Sequence, residues 1–285
     1  MDTVIGLGHA GCNIAEKFSE YSQYDVYRID TKKRPGKRFK LMPHCKTHEE
    51  YEQKCPSFKY FFRNIKDSCL VVIGGSGTIS GASLRILEQL KKHETSVLYI
   101  KPDTTLLSQK ARLQENVVFG VLQQYARSAL LKKLYIVENN RLEEIIGNTS
   151  VMNHYEKLNQ LVVSTIHMIN FCKNSTPELE TFDESVETAR IMTFGVCDLE
   201  ANQETLFFNL QMPREKVYYY MINRQKLEED GELLKKITGN VRSRSEGNTI
   251  NTSFGIYSTD YEEDYVYMTA SATLIQGQKN LDPKE

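Results

Sequence analysis

The sequence predicts an α/β protein with a parallel-sheet first half, a long central helix and a smaller α+β second half. Three observations carry that expectation. In the first half, short apolar runs alternate with segments of helical period, as when crossover helices bury a parallel sheet on both faces. Glycine clusters stand where two of those runs end, at 6–11 and 74–82. A helical stretch of about six turns then separates this half from one dominated by strands.

Taken in order, Thr3-Val4-Ile5, Asp25 to Ile29, Leu70 to Ile73, Val97 to Ile100 and Leu134 to Val137 read as buried strands. Helices are expected after the first glycine cluster at Ile14 to Phe18, at Ser83-Leu84-x-x-Leu87-x-x-Leu90 and at Leu113 to Leu122. From Met152 to Cys172, residues Tyr155, Leu158, Leu161, Val162, Thr165, Ile169 and Cys172 recur at helical spacing. Beyond it, Arg190 to Val196, Val217 to Ile222, Ser253 to Ser258 and Tyr265 to Thr273 read as strands, with one clear helix at Leu227 to Ile237.

Composition narrows the classes. The chain has 285 residues, 40% hydrophobic and 26% charged, which suits a soluble globular protein with a sizeable core. A net charge of -1 gives no general affinity for nucleic acid or anionic membranes. The cysteines at 12, 45, 55, 69, 172 and 197 lack CxxC spacing, so they read as reduced thiols in a cytoplasm and not as a zinc site or disulfide framework. No apolar stretch approaches the roughly 20 residues that span a bilayer. The first strand starts at once, leaving no room for a signal peptide.

The first cluster, Gly6-x-Gly8-x-x-Gly11 in GLGHAGCN, is the dinucleotide fingerprint, with Asp30 ending the next strand where it could bind a ribose hydroxyl. An NAD-dependent oxidoreductase is therefore the first hypothesis. The second cluster, GGSGTISGA at 74–82, tests it. It also aims backbone amides and a helix N-terminus at an anion, and the hydroxyls of Ser76, Thr78 and Ser80 suit phosphate oxygens. Two such loops on neighbouring strands fit a nucleotide with several phosphates, whereas no His, Tyr or Lys constellation for hydride chemistry accompanies the fingerprint. Tyr155 and Asn159 lie one helical turn apart on one face, so a ring could stack on a purine while the amide meets its edge. A half-buried tyrosine and a solvated asparagine remain the alternative for this pair.

With these loops in place, the chain resembles the tubulin/FtsZ superfamily of GTP-binding filament proteins. The first glycine turn resembles the family's first loop, with Asn13 standing where FtsZ proteins carry an asparagine near the base. Residues Gly75-Ser76-Gly77-Thr78-Ile79-Ser80-Gly81-Ala82 resemble the signature GGGTGTGA. Tyr99-Ile100-Lys101-Pro102 and Ile136 to Leu142 are similar to the strand with its Lys-Pro step and to the IPNDRLL segment. Tyr155-x-x-x-Asn159 matches the aromatic and amide that read guanine, Arg190 to Val196 the strand written AMMGIG, and Phe254 to Thr273 the final strand pair. There are departures. Ser76 and Ile79 replace glycines, Ile79 at a cost if its φ must be positive; Lys40 to Lys46 is basic and glycine-free where the family senses the γ-phosphate; Leu106 stands where the family has a glutamate, while Lys110 keeps an arginine's charge.

The resemblance implies a Rossmann-like GTPase domain at 1–151, a central helix at 152–173, an α+β domain at 174–276 and a flexible tail at 277–285. It implies GTP or GDP with Mg²⁺, without protein metal ligands, held by Gly8, His9, Gly11, Cys12, Asn13, Gly75, Ser76, Gly77, Thr78, Ser80, Gly81, Lys110, Tyr155 and Asn159. It further implies a head-to-tail homopolymer in the cytoplasm, open to an adaptor or cargo protein but without direct nucleic-acid binding or membrane insertion. In the family, acids after the long helix enter the next subunit and polarise the attacking water. Aligned forward from Asn159 these are Glu180, Asp183 and Glu184; aligned backward from the next strand, only Glu178. The forward register is preferred because Phe182 to Val186 resembles the start of the family's next helix. The altered loops also suit a nucleotide-binding scaffold that neither polymerises nor hydrolyses, and a phage, plasmid or other accessory cytomotive protein over a division ring.

Overall fold

The computed structural model describes residues 2–36, 38–245 and 250–277. Strand β1 (Thr3–Leu7) is buried along its length and pairs in parallel with β2 (Asp25–Asp30) on one side and β4 (Ser68–Gly74) on the other. The parallel array continues outward through β3 (Phe39–Leu41) next to β2, and through β5 (Glu94–Lys101) and β6 (Leu134–Glu138) beyond β4. Successive side chains leave opposite faces of a strand. Val4, Leu70 and Val72 therefore pack with Ile14 and Phe18 of α1 (Gly8–Phe18) and with Val162 and Ile166 of α6 (His154–Lys173). Ile5, Val71 and Ile73 pack on the other side with Ile86 of α3 (Ser83–Gln89) and with Phe119 and Leu122 of α4 (Gln109–Arg127). Two shorter helices, α2 (His48–Gln53) and α5 (Asn139–Ile146), complete this half.

The sheet does not stop at β6. Leu134 and Tyr135 pair in parallel with Ile191 and Met192 of β8 (Ile191–Asp198). Further strands are β7 (Leu179–Glu180), β9 (Gln203–Leu206), β10 (Glu215–Asn223), β11 (Asn251–Thr259) and β12 (Tyr265–Ala272), giving the order β3-β2-β1-β4-β5-β6-β8-β12-β10-β11-β7 with β9 paired to β8. In β10, Tyr218, Tyr220 and Ile222 meet Leu233, Ile237 and Val241 of α8 (Leu233–Ser245), whereas Tyr219 and Met221 join the cluster that contains α6. Helix α6 is thus common core to both halves, and the α/β architecture expected from the sequence is the one found. Among the described residues, no helix is long and apolar enough to cross a membrane.

Two expectations are corrected. The helix at Leu227 to Ile237 is two helices, α7 (Arg224–Glu229) and α8, because Asp230 leaves the helical region at φ -91 and ψ 91. Its carboxylate accepts from the Glu232 N–H at 3.0 Å, a local bond that competes with the helix ladder. No helix starts at Phe182 to Val186 either. The chain there has just been drawn out along β11, with Glu178 N–H donating to Ile256 O and Thr181 N–H to Phe254 O, both at 2.8 Å. The expected tail lies outside the described residues from 278 onward; Gln276, just before it, is buried and bonded to Gln123.

Candidate functional site

Helix α1 follows β1 directly, and its N-terminus has neither a side-chain cap nor an acid in the first turn. The 3-10 turn Thr78–Ala82 starts from Gly77 and is equally uncapped. The N-termini of α3, α5 and α6 are also without a side-chain cap, whereas α2, α4 and α7 are closed by the side chains of Thr47, Ser108 and Asn223. Leu7 and Ile73 are paired, so the two open ends lie side by side at the carboxyl edge of β1 and β4. Unsatisfied N–H groups and the positive ends of the peptide dipoles make that edge a seat for an anion.

Glycines shape the seat. Gly8 has φ +71, and a Cβ there would lie 2.5 Å from Ile79 Cγ2, so the second loop rests directly on the first. Ile79 itself sits in the 3-10 turn and is not among the positive-φ residues, so the backbone cost feared for it does not arise. Its side chain instead fills space between the loops. Gly11 lets α1 settle on β4, because a Cβ would strike the Val72 carbonyl oxygen. Gly75 and Gly81 are hemmed in by the Tyr99 hydroxyl and the His48 backbone. Ser76 and Thr78 are exposed on the turn, but Ser80 is buried with its hydroxyl 3.3 Å from His48 Nε2, so it faces away from the open edge.

Arg34, which the sequence reading missed, organises the first loop. Its Nε donates to Asp30 Oδ2 at 2.9 Å, Nη1 to Asn13 Oδ1 at 2.8 Å and Nη2 to the His9 carbonyl at 3.2 Å, with His9 Nδ1 2.9 Å from Nη2. Asp30 also accepts from the Thr31 N–H at 2.8 Å, so both its oxygens are engaged within the chain and not presented to a ribose. The available signal was the basic run Lys32-Lys33-Arg34 followed by Pro35-Gly36, where Gly36 at φ +111 turns the chain. Cys12 is buried, its thiol facing the carbonyls of Gly6 and Ile29 and pushed up to about 12 by burial and by Asp30. Any contact it makes with a ligand runs through its backbone.

The head of α6 passes beside α1, where Lys17 Nζ donates to Gln160 Oε1 at 3.4 Å and lies 3.7 Å from Glu156. Tyr155 is 68% exposed there and Asn159 is half-buried one turn on. Lys110 is exposed in the first turn of α4, where its charge reaches His48 and Glu49. The structure thus gathers the glycine turns, His9, Asn13 and the hydroxyls of Ser76 and Thr78 on one edge, but not that of Ser80, and it does not bring the acids there. Glu180 lies in β7, Asp183 and Glu184 follow exposed, and all three come after the far end of α6. The 20 residues of that helix correspond to about 30 Å. Glu180 and Asp183 instead line a cavity of ≈ 360 Å³ with Lys133, Lys173 and Tyr219. Among the described residues, no group of three or more His, Cys, Asp or Glu is placed to hold a metal ion.

No known family model matches the sequence, and no curated protein matches it. Solved structures do. A GTPγS-form protofilament of Bacillus thuringiensis serovar israelensis TubZ superposes with TM-score 0.74 at 17% identity, covering 96% of this chain and 87% of that one. The empty FtsZ dimer of M. jannaschii gives 0.68 at 14% identity, covering 95% and 87%. A helical model of the two-stranded TubZ-Bt filament gives 0.67 at 17% identity, covering 96% and 84%. The chain has a tubulin/FtsZ-like fold.

Proposed function

We propose that this chain is a cytoplasmic GTP-binding filament protein that assembles head to tail and hydrolyses GTP at the contact between subunits. The observation that supports it best is the separation of parts along α6. Phosphate-binding features and the Tyr155 to Asn159 pair lie at one end, and the acids Glu180, Asp183 and Glu184 come after the other. A second copy stacked in the same orientation would bring its acids to the first copy's phosphates, and such a heterologous contact propagates into an open filament. Binding would rest on the uncapped turns at Gly8 and Gly77, with Ser76 and Thr78 donating to phosphate oxygens, while Tyr155 and Asn159 take the guanine. Mg²⁺ carried by the triphosphate would supply charge neutralisation. An acid of the neighbour would orient the attacking water. Six unpaired cysteines suit a reducing compartment.

Ile79 wedged against Gly8 and Ser80 turned toward His48 favour a second reading, a scaffold that binds nucleotide without turning it over. GTP turnover measured against protein concentration, with negative-stain microscopy of the same samples, separates the two. The trans mechanism requires turnover per molecule to be negligible below a critical concentration and to rise with filament formation. Turnover first order in protein at every concentration overturns it, and tight GTP binding with neither polymer nor turnover supports the scaffold. NAD binding with which GTP fails to compete would restore the oxidoreductase.

A further inference from the structure

The segment that carries the acids has a short hold on the sheet. β7 contributes two residues at an edge, its neighbours Glu178 and Thr181 add one backbone bond each to β11, and the Thr181 hydroxyl accepts from the Phe254 N–H at 3.0 Å. The contact made by Phe182, two residues past β7, is more specific. A Cβ built on Gly255, in the middle of β11, would lie 2.5 Å from Phe182 Cζ and 2.8 Å from Cε2. The Phe182 ring therefore occupies the volume that any other residue at 255 would fill. The Tyr219 ring flanks it, with centroids 5.9 Å apart.

Gly255 is paired to Tyr219 on one side and to Glu180 on the other, and its φ is not positive, so its backbone does not call for glycine. Glycine inside a strand weakens it unless something approaches closely. The approaching group is Phe182. Asp183 is the next residue, and its Oδ1 accepts from the Glu184 N–H at 2.8 Å, which ties the two acids to each other directly after the seated ring.

We propose that Phe182, seated in the notch left by Gly255, is a positioning residue that fixes the acid-bearing segment for its work on the neighbouring subunit's nucleotide. This rests on the trans mechanism of the proposed function. Phe182 comes after the far end of α6 from the glycine turns and Gly255 pairs with Glu180, so their loss acts through Asp183 and Glu184. Displacing catalytic groups by about 1 Å can lower turnover by about 10²-fold, and a drop of about 10- to 100-fold in kcat is expected for Phe182→Ala and for Gly255→Ala.

The test uses the full chain. In Phe182→Ala and Gly255→Ala, GTP affinity and filament formation should match wild type while kcat falls. Phe182→Leu should retain most turnover, and Gly255→Ala combined with Phe182→Leu should recover part of what Gly255→Ala loses, because the shorter side chain clears the new methyl. A structural role alone predicts that Gly255→Ala, whose Cβ would stand 2.5 Å from the ring, lowers melting without touching kcat. A second measurement does not need hydrolysis: a glutamate-specific protease should cut at Glu178, Glu180 and Glu184 several-fold faster in both alanine variants than in wild type. Wild-type kcat in assembled Phe182→Ala and Gly255→Ala overturns the proposal, as do unchanged cleavage rates. If wild type itself shows no turnover at any concentration, the trans mechanism fails, and the cleavage rates alone decide whether the ring holds the segment.

Discussion

Replacing Gly77 by valine separates phosphate binding from folding. Gly77 has φ -88 and ψ 134, a strand-like conformation that a β-branched residue adopts readily. Its absent Cβ would meet only Ile79 Cγ2, at 3.7 Å, an ordinary contact. Removing glycine's freedom from the unfolded chain at such a site stabilises by about 0.4–1 kcal/mol, which raises Tm by about 2–4 °C per kcal/mol. The same side chain stands where a phosphate would approach the amides of the second loop. Each charge-assisted hydrogen bond lost there costs about 1.5–3 kcal/mol, or about 10- to 150-fold in Kd. Gly77→Val should therefore melt at or above wild type without nucleotide and show little thermal shift with GTP. Gly8→Val is the contrasting case, since φ +71 and the contact with Ile79 penalise the fold itself, so its nucleotide-free melting should fall. The measurements are calorimetric titration and melting with and without GTP. Wild-type affinity in Gly77→Val would show that no phosphate sits on that turn.

Asn159→Ala should weaken GTP binding by about 1–3 kcal/mol by leaving a base edge unpaired, with no matching loss for ATP; equal GTP and ATP affinities in wild type argue against guanine reading. Asp183→Ala should bind GTP and assemble but lose turnover, giving longer-lived filaments; Glu184→Ala and Glu180→Ala report the register, and turnover that survives removal of all three together with Glu178 rules out acids from this segment. Burial holds His48 below its ordinary value of 6.5, Lys110 acting in the same sense and Glu49 against it. The unfolded chain therefore takes up this proton first on acidification. Stability is intact above pH 6.5 and declines as pH falls toward the folded value. Urea midpoints at about pH 7.5 and about pH 5.5 should drop less in His48→Gln than in wild type, and equal drops would remove His48 from the account.

The first half was legible because its information is local. An apolar run such as Leu70 to Ile73 ending in Gly74-Gly75 specifies a buried strand and a tight turn whatever lies elsewhere, and the spacing from Tyr155 to Asn159 fixes a shared helix face. That locality gave the parallel sheet, the long helix and the glycine-turn edge. It failed where a local preference met a distant partner. Phe182 to Val186 carries a helix-like start, but Glu178 and Thr181 bond to β11, which lies some seventy residues on, and the chain stays extended. Arg34 is one cation in a basic run until Gly36 turns the chain and its guanidinium meets His9, Asn13 and Asp30 together. The replacement of a glycine by Ile79 looked like strain, and only the packing showed the side chain resting on Gly8. Sequence period determines which faces are apolar and where the chain turns; which strand an edge segment joins, and which ring fills the space a glycine leaves, depend on groups far apart along the chain and are decided only when the fold closes.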